Sequence, residues 1–364
     1  MAAPLRVLLV GLGHMGMTHG RAYHALEGYE LAGLCARSIA NRADLPEDWA
    51  PNARYSDFYE ALAAVRPDVV SINTWPDTHA EYCVRAFEAG AHVFVEKPLA
   101  ETAEDAERVV AAARKHHKKL VVGYSARHSP TWKRIVEFAQ GLGKPLVMRM
   151  NLNQQSIGPS WTWHKNLLAA LSPIVDCGVH YVDMMCQMTL AKPVRVSGMG
   201  ARLSDEIAPD QYNYGHLQVF FDDDSIGWYE AAWGPSVSEM AFMVKDIMGP
   251  KGSVSVITPP YKLGVAEGAT RTTSSDIHTH GQMEAVLYHR SELNPDQSLV
   301  HGDVVEPVVN KLDHDEISRR EQIYLQNAIE TDGDLNEHME AAINSLKIVL
   351  AADLSIKEKR IVDL

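Results

Sequence analysis

Cysteine is scarce: Cys35, Cys83, Cys177 and Cys186 are the only ones in 364 residues, with no C-x-x-C pair and no zinc-ligand spacing. This excludes a disulfide framework, and the four read as buried thiols of a reducing compartment. Basic charge is also short. Against 47 acidic side chains stand 34 Lys and Arg, a formal net charge of −13. Such a surface repels phosphate backbones and anionic lipid, so nucleic acid and membrane are poor partners. No apolar run is long enough to span a bilayer. The first run, Val7 to Val10 after Arg6, stops at Gly11, too short for a secretory core and without a small-residue cleavage site. A soluble, cytoplasmic chain is expected. What is plentiful is apolar residues, 46%, with 22% charged, which is enough to fill a globular core over two domains or three.

The first third repeats one rhythm. Apolar runs at Leu5–Val10, Leu31–Cys35, Val69–Asn73, His92–Val95 and Leu120–Gly123 alternate with helical patterns. The helices are expected from Met15 to Leu26, from an N-cap at Ser56 to Arg66, from Thr78 to Gly90, and from a Thr102/Asp105 capping box to the Lys115–Lys119 cluster. Short continuous apolar runs between amphipathic helices predict parallel strands buried on both faces, hence a doubly wound α/β domain over residues 1–125. Residues 126–364 change character. After a helix at Pro130–Gln140, strands are expected at Leu146–Asn153, Val194–Arg202, Tyr212–Phe221, Ser225–Ala232 and Met240–Met248, with Asp222-Asp223-Asp224 as a hairpin turn. Helices are expected at Ser172–Met188, Ile317–Glu330 and Glu337–Leu354, and long loops within Thr258–Asp315. This is an α+β domain on a mostly antiparallel sheet.

Gly11-Leu12-Gly13-His14-Met15-Gly16 fits G-x-G-x-x-G. The pattern gains meaning here because it follows a strand and opens a helix. The first glycine makes the turn, the second admits a pyrophosphate, the third lets helix and strand close up, and the helix N-terminus offers N–H groups to the anion. An acid that would hold the ribose hydroxyls is missing from the end of the second strand, Cys35-Ala36-Arg37-Ser38. Arg37, Ser38 and Arg42 suit a 2′-phosphate instead, so NADP is favoured slightly over NAD. Arg37 stacked on adenine would accept either.

The strand His92–Val95 runs into Glu96-Lys97-Pro98, at the edge where open α/β sheets bind ligands, which sets Lys97 beside a nicotinamide. Far along the chain, Asp176-x-x-x-His180-x-x-Asp183 puts three polar residues on one helix face. An ammonium, an imidazole and a carboxylate could together surround one hydroxyl. Alcohol oxidation needs that hydroxyl's proton removed as hydride leaves, and either Lys97 or His180 could be the base. The Asp-His-Asp spacing could also hold a metal, but no further ligand cluster accompanies it, and none is expected.

The glycine loop, Asn73-Thr74-Trp75-Pro76-Asp77-Thr78-His79, Glu96-Lys97-Pro98 and Asp176-x-Gly178-x-His180-x-x-Asp183 together resemble the Gfo/Idh/MocA family over nearly the whole chain. The resemblance implies a Rossmann domain, an α+β domain whose open sheet joins subunits into a homodimer or homotetramer, and hydride transfer between a nicotinamide and a carbinol carbon of a sugar or cyclitol. Carried over by position, it implies that Lys97 and His180 act on the substrate proton, with Asp176 orienting them. It implies NAD(P) binding by Gly11, Leu12, Gly13, His14, Met15, Gly16, Ala36, Arg37, Ser38, Arg42, Thr74, Trp75, His79, Glu96 and Lys97. The acid expected at Ala36 is absent, and Trp75 stands where proline is common.

On the substrate side, Trp161-Thr162-Trp163-His164-Lys165 combines aromatic and basic residues. In an extended segment Trp161 and Trp163 would point the same way and pack on the C–H faces of a sugar, although they suit a core or an interface equally well. Arg127, His164 and Lys165, with His128 and Arg149, could donate to hydroxyls or meet an acidic sugar, and Arg127 is the preferred one. Tyr212 and Tyr214 share a strand face. The expected substrate-binding set is Lys97, Arg127, Trp161, Trp163, His164, Lys165, Asp176 and His180. A redox-neutral glycosidase that oxidises the sugar transiently needs nearly the same residues, and a non-catalytic nucleotide sensor is the third possibility.

Overall fold

Leu5–Val10 (β1), Val69–Ile72, His92–Val95 and Leu120–Val122 are mostly apolar, and most residues in them are buried on either face. That burial on both faces is what a central parallel sheet requires. The computed structural model describes residues 3–50, 53–237, 243–257, 283–308 and 312–364. They group into two units: Met1–His128 with Asp313–Leu346, and Ser129–Leu312 with Lys347–Leu364.

In the first unit the elements after β1 are α1 (His14–Ala25), β2 (Tyr29–Cys35), β3 (Arg54–Tyr55), α2 (Phe58–Val65), β4 (Val69–Ile72), α3 (Pro76–Glu88), β5 (His92–Val95), α4 (Ala103–Lys115) and β6 (Leu120–Val122). The strands form one parallel sheet in the order β3-β2-β1-β4-β5-β6. The order reverses between β1 and β4, so the chain leaves their carboxyl ends in opposite directions and opens a crevice there. The buried face of α3 carries Cys83, Ala86 and Phe87, as its spacing predicts, and Thr102 accepts from the Asp105 N–H at 3.1 Å. Two helix starts differ from the sequence reading. Asp57, not Ser56, caps α2 by accepting from the Glu60 N–H at 2.9 Å. Helix α3 begins at Pro76, ahead of Thr78, since proline needs no N–H partner in a first turn.

The helix His314–Glu330 also belongs to this unit, where the sequence reading placed it with residues 126–364. Its Leu325 and Ala328 are buried in one cluster with Val7, Leu9, Phe94 and Val121, and the Gln322 carbonyl accepts from Tyr29 Oη at 2.8 Å. Without that helix, this apolar side of the sheet would face water.

The second unit holds α5 (Pro130–Gly141), β7 (Val147–Gln155), α6 (Gly158–Leu168), α7 (Pro173–Asp176), α8 (Gly178–Thr189), β8 (Pro193–Ala201), β9 (Tyr214–Phe221), β10 (Ile226–Gly234), β11 (Lys245–Gly249), β12 (Gly252–Ile257), β13 (Ala285–Arg290), β14 (Val304–Pro307) and β15 (Val362–Asp363). Its sheet runs β14-β13-β12-β11-β7-β10-β9-β8-β15, antiparallel except for the parallel pair β7/β10. One face is covered: Met148, Met150, Leu152, Leu217, Val219 and Tyr229 are buried, and Tyr229 stacks on Tyr181 of α8 at 4.8 Å. The other face carries exposed Val147, Ile226 and Met248.

The Asp222–Asp224 hairpin forms as expected, with Asp224 at φ 63°. The expected helix Ser172–Met188 is instead two helices, broken at Cys177, with Ser172 as the cap of the first. Tyr212 lies before the strand that Tyr214 opens, and its hydroxyl donates to Asp353 at 2.6 Å. Strands β13 and β14 occupy part of the stretch read as loop, and most of its remainder, residues 258–282, falls outside the described residues, as do residues 240–242 of the expected Met240–Met248 strand.

Candidate functional site

At the β1/β4 crevice the glycine loop turns where only glycine fits. Gly11 has φ +81°, and a Cβ there would stand 2.5 Å from the Asn73 carbonyl oxygen. A Cβ on Gly16 would collide with the carbonyl of Gly11. Gly13 is different: nothing lies within 4 Å of where its Cβ would be. It caps α1 with no side-chain bond to the helix, whose first turn has no acid. The first N–H groups of α1 are thus left to an outside acceptor, and among the described residues the buried Asn73 Oδ1 has no hydrogen-bond partner. An uncapped helix N-terminus over an open glycine suits the pyrophosphate of a dinucleotide.

The residues expected at the nucleotide's ribose end are dispersed in role. Arg37 and Ser38 are exposed and Ala36 is half-buried. Arg42 is engaged: its Nε and Nη2 donate to Asp44 at 2.6 and 2.7 Å, and its Nη1 donates to the Leu12 carbonyl. His14 is exposed and Met15 half-buried. Across the crevice Trp75 is exposed, and Thr74 and Thr78 share a hydroxyl hydrogen bond at 2.6 Å.

The turn after β5 is fastened from within. The Lys97–Pro98 peptide is cis. His79 is wholly buried, with Nδ1 2.8 Å from the Pro98 carbonyl and Nε2 3.1 Å from that of Thr74. Burial pushes its pKa down against these two carbonyls and nearby Glu96 and Asp77, so a neutral ring donates to one of them. His79 thus ties the Thr74 loop to the lysine turn rather than presenting itself to a ligand. Glu96 is buried and accepts from His19 and from the Lys97 N–H. Burial pushes its carboxyl up, but His19 and Lys97 outweigh this and hold it below the usual carboxylate range. Lys97 itself is half-buried. Arg127 lies in a short helical turn, with its guanidinium 5.7 Å from the centre of the Tyr124 ring and 3.5 Å from His338 Nδ1.

In the second unit Asp176 ends α7 and His180 lies in the first turn of α8, the former buried and the latter half-buried. Asp183 is fully buried and accepts from Gln187 at 2.9 Å. The Cys177 thiol spans Asp176 Oδ2 and Gln154 Oε1, which also accepts from Trp233 Nε1 at 2.8 Å. His164 stacks on Trp233 at 4.5 Å. Burial pushes its pKa down to about 4, against the pull of Asp176.

The segment Trp161–Lys165 is helical, in α6, so its two tryptophans do not point the same way. Trp161 is buried and donates to Glu206 at 3.2 Å, whereas Trp163 is 46% exposed. Lys165 is paired with Glu206 at 2.6 Å, and Arg149 with Asp246 at 2.5 Å. His19, Asp44, Gln154 and Glu206 were not singled out from sequence. His19 alone had a local signal, lying one helical turn beyond Gly16 on the same face. Among the described residues no group of His, Cys, Asp or Glu could hold a metal ion, and no helix is long and apolar enough to cross a membrane.

A parallel sheet with a switch point and a glycine loop entering a helix define a Rossmann-type dinucleotide-binding unit, joined here to a second, mixed sheet. A model of the oxidoreductase family with NAD-binding Rossmann fold matches residues 5–124, and the GFO/IDH/MocA C-terminal domain matches residues 132–255. The chain belongs to the Gfo/Idh/MocA family.

It is 31% identical to inositol 2-dehydrogenase of Paracoccus denitrificans over 185 residues, 50% of this chain and 53% of that protein. It is 26% identical to D-glucoside 3-dehydrogenase of Escherichia coli over 276 residues, 70% of this chain and 78% of that one. The match thus spans about half the length of the inositol 2-dehydrogenase. Among solved structures, scyllo-inositol dehydrogenase of Lactobacillus casei, with bound NAD(H) and scyllo-inositol, superposes with TM-score 0.75 at 18% identity over 99% of each chain. An oxidoreductase domain protein of Kribbella flavida gives 0.78 at 21% identity, over 100% of this chain and 99% of that one.

Proposed function

We propose that this protein is an NAD(P)-dependent oxidoreductase acting on a carbinol carbon of a sugar or cyclitol. The observation that carries the reading is the pairing, within the first unit, of an uncapped glycine-loop helix with a lysine turn fastened at the same sheet edge. The relatives named inositol 2-dehydrogenase and D-glucoside 3-dehydrogenase support it. When bound, a nicotinamide dinucleotide supplies the acceptor for the hydride that leaves the carbinol carbon. The chain's part is to take the hydroxyl proton as the C–O bond becomes a carbonyl. We assign that proton to Lys97 or His180, with Asp176 as the accompanying carboxylate.

NADP is the favoured cofactor in this reading, but Arg37 carries the preference, because Arg42 is already neutralised by Asp44. The uncovered face of the second sheet, with Val147, Ile226 and Met248, is assigned to a second copy of the chain. A monomer in sedimentation at micromolar concentration would remove that assignment.

The test is a panel of sugars and cyclitols with each cofactor, comparing the native chain with Lys97→Ala. Native turnover is expected, falling by roughly a hundredfold or more in the variant with dinucleotide affinity nearly unchanged. Near-normal turnover in Lys97→Ala removes Lys97 from the proton transfer, and no turnover of the native chain across the panel refutes the oxidoreductase reading. Free sugar released from glycosides without net reduced cofactor would mark a redox-neutral glycosidase instead.

A further inference from the structure

Behind Lys97 runs a hydrogen-bonded string that neither the glycine loop nor the substrate side accounts for. Glu96 is 8% exposed. Its Oε1 accepts from His19 Nε2 at 2.9 Å, and its Oε2 from the Lys97 N–H at 3.1 Å. The ring of His19 is wholly buried, 4.5 Å from that of Phe94, and its Nδ1 lies 3.1 Å from Gln322 Nε2. An amide nitrogen only donates, so Nδ1 accepts, and the ring proton stands on Nε2, aimed at the carboxylate. The string therefore has one polarity, from Gln322 through His19 to Glu96.

Ionisable groups face Glu96 from each element around it. They are His19 on α1, His79 on α3, Lys97 on the turn, and His314 and Glu321 on the helix His314–Glu330, with His14 and Asp315 next to His314. Burial pushes His314 down to about 4. Burial and the charge of Glu96 lift Glu321 well above the carboxylate range. Asp315 is paired with Arg21 at 2.7 Å. Of the two buried carboxyls, then, Glu321 stays protonated and Glu96 holds the negative charge.

We propose that Glu96 is a positioning residue acting through Lys97: it pins the backbone of the turn and supplies a negative charge that the amine feels, while His19 and Gln322 hold that charge in place. The inference rests on the reading of Lys97 as the residue that handles the hydroxyl proton. It gives Glu96 a task different from the cofactor contact implied by family resemblance.

The test reads the amine directly, without turnover. The full chain is acetylated with acetic anhydride across a pH series, and the Lys97 peptide is followed by mass spectrometry. Glu96→Gln removes the charge at nearly constant shape and is expected to move the Lys97 midpoint to lower pH by about one unit or more, the size an adjacent opposite charge exerts. His19→Phe, which deletes the donor, should move it the same way, and His19→Gln, which restores a donor, should bring it back. A midpoint within about 0.3 unit of native in folded Glu96→Gln overturns the inference. Where the sugar panel gives turnover, the acid limb of kcat/KM for alcohol oxidation should shift down with the midpoint, and a limb that stays put overturns it too. Absence of turnover sinks the oxidoreductase reading alone, since the labelling still decides the role of Glu96.

Discussion

Lys245 is an anomaly with a measurable consequence. It opens β11 at the position paired with Met150, on the covered face of the second sheet, and is 2% exposed. Among the described residues its Nζ has no hydrogen-bond partner, and it lies 5.7 Å from the centre of the Tyr181 ring. Burial pushes its pKa from 10.5 down to about 7. A gap of that size corresponds to about 5 kcal/mol at ~1.4 kcal/mol per pH unit, as an upper bound. Relaxation of the site and the face of Tyr181 offset part of it, leaving an expected gain of about 2–4 kcal/mol for Lys245→Met.

The sign follows from proton counting. Between about pH 7 and 10.5 the unfolded chain holds a proton on this lysine that the folded chain does not, so the native protein gains stability as pH rises through that window. Methionine does not titrate. The advantage of Lys245→Met should therefore be greatest at and below pH 7 and should shrink towards pH 10. Thermal midpoints of both proteins at pH 6, 8 and 10 measure it, with a difference of several degrees expected at pH 6. A difference that is flat with pH, or a variant less stable than native at pH 6, refutes the reasoning.

Two further outcomes concern the nucleotide. Gly16→Ala drives a Cβ into the backbone carbonyl of Gly11, so dinucleotide affinity should fall at least about tenfold and stability by about 1–3 kcal/mol, read by cofactor fluorescence titration and the thermal midpoint. Unchanged affinity would remove the loop from the binding site. Arg37→Ala should lower kcat/KM with NADP by about tenfold or more while leaving NAD within a few-fold. Equal losses with both would assign the guanidinium to adenine stacking.

The doubly wound unit was legible because strands buried on both faces leave uninterrupted apolar runs. Val69–Ile72 is buried at every position, and sequence placed its start correctly. Strands β13 and β14 left no such trace. Half-buried or exposed at most positions, they sit at the sheet's edge, where packing asks little of composition. The grouping of the helix His314–Glu330 with the first sheet was equally hidden. Leu325 carries the apolar period of any amphipathic helix, and nothing local tells which sheet it covers. The same distance in sequence concealed the string behind Lys97, whose His19–Gln322 bond joins residues 303 apart.

The segment expected to meet substrate takes a different geometry from its sequence reading, and its cations are drawn into charge pairs. Trp161–Lys165 reads as an aromatic, basic strip, yet it lies in a helix that starts with Pro159 in its first turn. Helical geometry then gives each member a different neighbour. Glu206 takes both Lys165 and the Trp161 indole, and burial against Trp233 keeps His164 uncharged above about pH 4. The same happens at Arg149 with Asp246 and at Arg42 with Asp44. In a chain with a net charge of −13, an exposed cation readily finds a carboxylate of its own. Under the proposed function, these pairings leave Lys165, Arg149 and Arg42 engaged by carboxylates, so recognition of a substrate rests on shape and uncharged hydrogen bonds more than on these cations.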